Sequence, residues 1–203
     1  MIKDEYSEVW DTCCDHGKLG VALLERGSVS KVHFLDCVPS IIEALELKLA
    51  RRNFEKSRYQ LHCMKAEDLA LSSKGSLVCI CGVGGETAIE ILKGLERNND
   101  LSSHEIIICV QHHIYQLREF LRQEGFKSKN ETLVFDKGIG YEVFLLNKTS
   151  KEDVHPVGTS IFNVANPEHQ AYLKKIIEHY KRKVRGDKTD IHIMNLYKDI
   201  AKK

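Results

Sequence analysis

Short continuous apolar runs alternate with stretches in which apolar residues recur at every third or fourth position, almost without a break from residue 8 to residue 147. A continuous apolar run fits a strand buried on both faces, and the wider spacing fits a helix with one buried face. The pattern predicts strands over 8–13, 31–35, 59–64, 77–81, 106–110, 132–135 and 142–146, with helices over 18–26, 39–54, 86–97 and 115–124. In the second helix Pro39 suits the first turn, and Ile42, Leu45 and Leu49 form a stripe opposite Glu43, Glu46 and Arg51. The fourth, carrying Leu117, Phe120 and Leu121, runs into Gly125, a common left-handed stop. Strand–helix alternation on this scale implies a mostly parallel sheet covered on both faces. The last two strands have only Asp136-Lys137-Gly138-Ile139-Gly140 between them, which leaves no room for a helix. They are expected to form a hairpin, so that one antiparallel strand ends a seven-stranded α/β sheet.

Beyond Asn147 the pattern changes. Residues 148–163 are polar, contain Pro156 and Gly158, and read as a connection. Asn166 and Pro167 then look like the cap and first turn of a helix, with Tyr172, Leu173, Ile176, Ile177 and Tyr180 on one face. A further helix is expected from Asp190 onward. Two helices cannot enclose a core of their own, so the chain divides into a domain at 1–147 and a linker with a helical appendage at 148–203. Charge follows the same division. The net charge is +1, yet residues 171–203 hold ten Lys or Arg against four Asp or Glu, so the tail carries +6 and the rest −5. Such a face is either simply solvated or made for phosphate.

Composition adds little beyond this: 42% hydrophobic and 29% charged residues suit an ordinary globular core. No apolar run is long enough for a membrane span, and no membrane partner is expected. Of seven cysteines, Cys13, Cys37, Cys63, Cys79, Cys81 and Cys109 fall in or beside apolar strand-like runs, where a thiol serves as a small buried hydrophobe. None has metal-like pairing, so no metal is expected, and the reading is a reduced, cytoplasmic protein, with a monomer favoured.

The chemistry gathers at the strand ends. Trp10-Asp11-Thr12-Cys13-Cys14-Asp15-His16-Gly17 passes from strand through a turn into a helix, the opening of a nucleotide-binding α/β unit. With only Gly17 and Gly20 it is too glycine-poor for a dinucleotide fingerprint, and Asp15 would repel a diphosphate. That points to S-adenosylmethionine rather than NAD. Asp36, followed by Cys37, ends the second strand, where a carboxylate can accept both ribose hydroxyls of an adenosine; its plainer role is a charge ahead of the helix at Pro39. Glu67 and Asp68 follow the third strand, within reach of an adenine amino group or as caps of a short turn. After the fourth come Gly82, Val83, Gly84 and Gly85, three glycines in four residues, which let backbone approach a ligand closely.

Several of these stretches resemble the bacterial tRNA adenine-N1 methyltransferases that act at position 22 of tRNA. Asp11-Thr12-Cys13-Cys14-Asp15-His16-Gly17 is similar to that family's Asp-Ile-Gly-Ser-Asp-His, and Cys81-Gly82-Val83-Gly84-Gly85 to its Ala-Gly-Met-Gly-Gly. Tyr115-Gln116-Leu117-Arg118-Glu119 and the hairpin's Gly140-Tyr141-Glu142-Val143 also resemble family segments. The resemblance covers roughly 8–147, more loosely the tail. It implies a class I methyltransferase (Rossmann-like) fold, S-adenosyl-L-methionine as cofactor, tRNA as substrate, and cofactor roles for Asp15, His16, Gly17, Asp36 and residues 82–85. The chain departs from the family in two places: its first strand begins within ten residues of Met1, where the family has a basic helical segment, and its helical hairpin is shorter.

Methylation of adenine N1 needs no strong base, since that nitrogen carries its lone pair at pH 7; alignment and exclusion of water suffice. The Asn-Pro-Pro-Tyr type of motif used by many exocyclic-amine methyltransferases is missing from the fourth strand's end, which favours the ring nitrogen. His112, His113 and Tyr115 could stack on the base or accept a proton, or could be polar loop residues before a helix. The alternative to an enzyme is a methyltransferase-fold protein that binds cofactor or RNA without turnover. An NAD-dependent oxidoreductase is disfavoured by the missing third glycine.

Overall fold

The computed structural model describes residues 1–2, 6–72 and 74–202. Its strands β1 (Glu8–Thr12), β2 (Lys31–Asp36), β3 (Tyr59–Cys63), β4 (Leu77–Cys81) and β5 (Glu105–Cys109) are joined through helices α1 (Lys18–Arg26), α2 (Pro39–Arg51) and α3 (Gly85–Asn98). After α4 (Ile114–Gln123), β6 (Lys127–Asp136) and β7 (Ile139–Asn147) form the hairpin. The sheet order is β3-β2-β1-β4-β5-β7-β6-β8, with β1 to β5 parallel and β7 antiparallel to both neighbours.

The expected sheet is corrected from seven strands to eight. Strand β8 (Glu152–Asp153) lies within the segment read as a connection and pairs with the start of β6. Its two side chains are exposed, so it has no apolar signature to read. Strand β6 begins at Lys127, not 132, because Lys127-Ser128-Lys129-Asn130-Glu131 is polar on both faces and is held by pairing with β7. The same segment is less of a linker than its polarity suggested, since Val154 and Val157 are buried in two different apolar clusters.

Burial follows the periodicity. Leu77, Val78, Cys79 and Ile80 of β4 are wholly buried, as a central parallel strand requires. On one face of the sheet, α3 presents Ala88, Ile91, Leu92 and Leu95, and α4 presents Leu117 and Leu121. On the other, α1 presents Val21, Leu23 and Leu24, and α2 presents Leu45 and Leu49. The appendage is α5 (Pro167–Gly186), capped by Asn166, whose Oδ1 accepts the Glu168 N–H at 2.8 Å, and α6 (Ile191–Ile200). The two helices pack on each other through Leu173, Tyr180, Ile193, Met194, Tyr197 and Ile200. Among the described residues no helix is long and apolar enough to cross a membrane.

A charged cluster fastens the appendage to the sheet. Arg118 of α4 is fully buried and donates to Glu142 of β7 at 2.6 and 3.0 Å, to Glu131 of β6 at 2.8 Å and to the His155 carbonyl at 2.8 Å. Tyr172 of α5 donates to the other Glu142 oxygen at 3.2 Å, and the guanidinium lies 4.4 Å from the Phe144 ring centroid. Arg118 and Glu142 fall in two of the stretches that resemble the family, Tyr115–Glu119 and Gly140–Val143, which gives those stretches an architectural task.

Two cysteine expectations are also corrected. Cys79 is buried as anticipated, whereas Cys37 and Cys63 are exposed, because each sits just where its strand runs out at the sheet's open edge.

Candidate active site

Strand order reverses between β1 and β4, and the loops leaving their carboxyl ends define the crevice where such sheets take ligands. The first loop is conformationally strained: Cys13, Asp15 and Gly17 have φ of 52°, 46° and 62°, a left-handed region that non-glycine residues occupy at a cost of roughly 1 kcal/mol or more each. Asp15 and His16 project into solvent with their charged atoms 3.9 Å apart, and the His16 carbonyl accepts from Lys48 Nζ at 2.7 Å. Gly17 caps α1.

Asp36 is buried and precisely oriented by backbone. Its Oδ2 accepts the Asp15 N–H at 3.2 Å and its Oδ1 the Val38 N–H at 3.1 Å. Each carboxylate oxygen can accept two hydrogen bonds, so one position on each stays open for a pair of hydroxyls. Cys37 lies exposed beside it.

Asp36, Cys37, Glu67 and Asp11 all act electrostatically on Cys13, whose thiol is pushed up to about 11, mainly by burial and then by those charges. Cys13 thus marks the meeting point of the three loops. Glu67 lies on a 3-10 turn (Ala66–Asp68) and, with Glu86, Thr87, Ile89 and Glu90, lines a cavity of about 470 Å³. Asp68, on the same turn, is exposed.

The glycine turn after β4 divides its work. Gly82 has φ 80° and open space where a Cβ would be, so only there is the backbone bare to a ligand. Val83 packs against the core. A Cβ on Gly84 would fall 2.3 Å from the His112 ring, and one on Gly85 2.6 Å from the His113 carbonyl oxygen. Those two glycines let the β4 and β5 loops interlock, which they do through Gly85 N–H to His112 O at 3.0 Å and Gln111 N–H to Val83 O at 3.1 Å. The expectation that the whole turn faces a ligand is therefore narrowed to Gly82.

His112 and His113 are exposed on that interlocked rim, edge to face with centroids 4.7 Å apart, and His113 Nδ1 is 3.2 Å from Glu86 Oε1. Tyr115 is directed elsewhere, its hydroxyl 3.2 Å from Nε2 of His192 on α6.

Sequence reasoning missed three residues. Asp11 is buried at 3% exposure, accepts the Gly20 N–H at 2.9 Å, and has its carboxyl pushed up to about 7 by burial. A charged residue at an inward strand position was the available signal. Cys13 and Glu86 had none, because their importance is purely spatial. With Asp15, Asp36, Glu67 and Glu86 along one edge, the crevice suits a cationic, hydroxyl-bearing ligand and opposes a pyrophosphate. Among the described residues no three His, Cys, Asp or Glu are grouped to hold a metal ion.

Comparison with known proteins agrees with this architecture. The chain is 25% identical over 209 residues to a candidate tRNA methyltransferase of Mycoplasma pneumoniae, covering 96% of this chain and 93% of that protein. Its fold is similar to that of M. capricolum TrmK in complex with S-adenosyl-homocysteine, with TM-score 0.78, 18% identity, and 99% and 92% of the two chains covered. It is equally similar to a candidate tRNA (m1A22) methyltransferase of Streptococcus pneumoniae in complex with S-adenosyl-L-methionine, with TM-score 0.78, 18% identity and coverage of 98% and 94%. At that identity the structural likenesses speak for the fold alone. The sequence match that runs over residues 1–144 goes further, and by it the chain belongs to the methyltransferase domain family.

Proposed function

We propose that this protein is an S-adenosylmethionine-dependent tRNA methyltransferase forming N1-methyladenine at position 22. The observation that carries the cofactor assignment is Asp36, with both oxygens held by backbone N–H groups and one acceptor position free on each. The substrate assignment is supported by the names of the relatives described above and by the basic appendage.

The cofactor, when bound, supplies an electrophilic methyl group on a sulfonium. Asp36 would hold the ribose, Glu67 and Cys37 would face the adenine, and Gly82, with no side chain, would leave room at the floor. The carboxylates of the crevice favour the cationic donor over its neutral thioether product, which helps exchange after transfer. Asp15 and His16 face the solvent side of the same crevice. The target N1 needs only alignment, and a ring methylated there is cationic until its exocyclic amine gives up a proton. Glu86, on the rim with its Oε1 3.2 Å from His113 Nδ1, is the carboxylate we assign to stabilising that charge. His112, exposed on the same rim, is our candidate for contact with the base, whereas the Tyr115 hydroxyl meets His192 of the appendage. Free thiols on the surface at Cys37 and Cys63 suit a reducing cytoplasm.

Primer extension on tRNA treated with the protein and S-adenosylmethionine tests the position. An N1-methyl group blocks Watson–Crick pairing, so the expected result is a new stop beside residue 22. Read-through, or a stop elsewhere, would contradict the assignment.

A further inference from the structure

Adenine N1 lies on the Watson–Crick edge. In a folded RNA a paired adenine has that nitrogen engaged with its partner base, so it cannot attack a methyl group until it leaves the stack. Proteins that extract a base meet an unstacking cost, and those that kink or open a helix do so with an apolar side chain inserted where the base was.

The hairpin of β6 and β7 provides such a device. The last β5–β7 pair is Cys109 with Val143, while β6 and β7 stay paired to Asp136 with Ile139. Four residues of β7, Ile139 to Glu142, therefore overhang the end of β5, by roughly 13 Å at 3.3 Å per residue. The overhang rises at the carboxyl edge, two strand spacings, or about 10 Å, from β4 and Gly82. Its two faces differ. One carries Phe135, Gly140 and Glu142 and is backed by the appendage: the Phe135 ring lies 5.4 Å from His169 and 6.4 Å from Tyr172, and a Cβ on Gly140 would strike Tyr172. The other carries Val134, Asp136, Ile139 and Tyr141, and its tip is open: Val134 is 43% and Ile139 49% exposed, two of the five large hydrophobic side chains so exposed among the described residues, and Asp136 opposite Ile139 is exposed as well. Position and charge together point to the occupant. The tip stands on the carboxyl edge that carries the candidate site. Lys137 is at the tip beside Asp136, and α5, which meets the hairpin at His169 and Tyr172, carries Lys174 and Lys175 within one turn of Tyr172 and Glu168 one turn before it. An apolar edge on the rim of that site, with cations in slight excess beside it, fits a nucleobase with its phosphates.

We propose that the tip of the β6–β7 hairpin, through Val134 and Ile139, is a wedge that contacts the substrate RNA and holds open the stack from which the target adenine is withdrawn. The inference rests on the adenine-N1 reading. The contacts of Phe135 and Gly140 with α5 support the tip from its other face.

The test is a tRNA with 2-aminopurine, whose fluorescence rises on unstacking, at the target position. The intact protein is expected to raise the fluorescence on binding, and Val134→Ser with Ile139→Ser to abolish that rise. On unmodified tRNA the double variant should lose about tenfold or more in kcat/KM, while its melting temperature and S-adenosylhomocysteine affinity stay unchanged. A second variant, Lys137→Ala, should weaken tRNA binding yet keep the fluorescence rise at saturation. An undiminished rise or undiminished kcat/KM in the double variant would overturn the wedge. So would methylation by the intact protein with no rise at all. A rise without methylation at adenine N1 would instead defeat the functional reading and leave the wedge standing.

Discussion

Replacing Asp11 by Asn should make the ligand-free protein more stable, and increasingly so as pH rises. Asp11 is buried beneath the first loop, and its carboxyl is raised from 3.8 to about 7 by desolvation, with the Gly20 N–H as a partial offset. A native group that binds a proton more tightly than the unfolded chain stabilises the fold at low pH, and this stability disappears as pH climbs from about 4 to 7. A shift of about three units corresponds to about 4 kcal/mol by pH 8. Asparagine retains an oxygen for the Gly20 N–H and never ionises. His33 works the opposite way over the same range: burial lowers it to about 4, so its native state favours the neutral ring and stability falls as pH drops from 6.5. The quantity to measure is therefore the difference between variant and parent, from urea unfolding without ligand at pH 5 to 8.5. It should be about 1.5 kcal/mol at pH 5 and grow toward about 4 kcal/mol in the variant's favour at pH 8. A difference that stays flat, or that moves against the variant, would refute the assignment of a proton to Asp11. The native carboxylate is then retained for the ligand: D11N should bind the sulfonium cofactor more weakly, while its affinity for the thioether S-adenosylhomocysteine changes less.

Asp36→Ala should weaken S-adenosylhomocysteine binding by about 10- to 100-fold, the loss of two hydroxyl contacts to a charged acceptor, and unchanged affinity by calorimetry would remove Asp36 from the site. Gly85→Ala should cost more stability than Gly84→Ala, because its Cβ meets a backbone carbonyl rather than a side chain that can rotate; a cost of about 1–3 kcal/mol is expected in thermal unfolding, and an equal or reversed order would count against the interlocked rim. Arg118→Met leaves Glu131 and Glu142 buried together and should destabilise by about 3–5 kcal/mol, with partial relief in the Glu142→Gln background; no relief would mean that the cluster is not electrostatically coupled.

Where the fold was legible, one rule of spacing sufficed. The helix expected over 18–26 is α1 residue for residue, because Val21, Leu23 and Leu24 repeat with its turn and Gly27 closes it in a left-handed conformation. Strand β8 and the first half of β6 were not legible, since their pairing uses backbone and their side chains are polar. In the site, Asp36 could be placed from its position at a strand end. The division of the glycine turn could not, because the need for Gly84 and Gly85 comes from His112 and His113, more than twenty residues away in the chain. The partner of Tyr115 was hidden for a similar reason, as His192 lies on a helix that only the tertiary fold brings near. Arg118 is the sharpest case: a charged residue at an inward helical position becomes intelligible only once two strands and the appendage close over it.

The most direct test of the central claim is transfer of labelled methyl groups from S-adenosylmethionine to unmodified bulk tRNA, followed by digestion and nucleoside analysis. Label recovered as N1-methyladenosine, and lost with Asp36→Ala, is the result this account predicts. Label on another nucleoside, or no label from a protein that still binds S-adenosylhomocysteine, would contradict it.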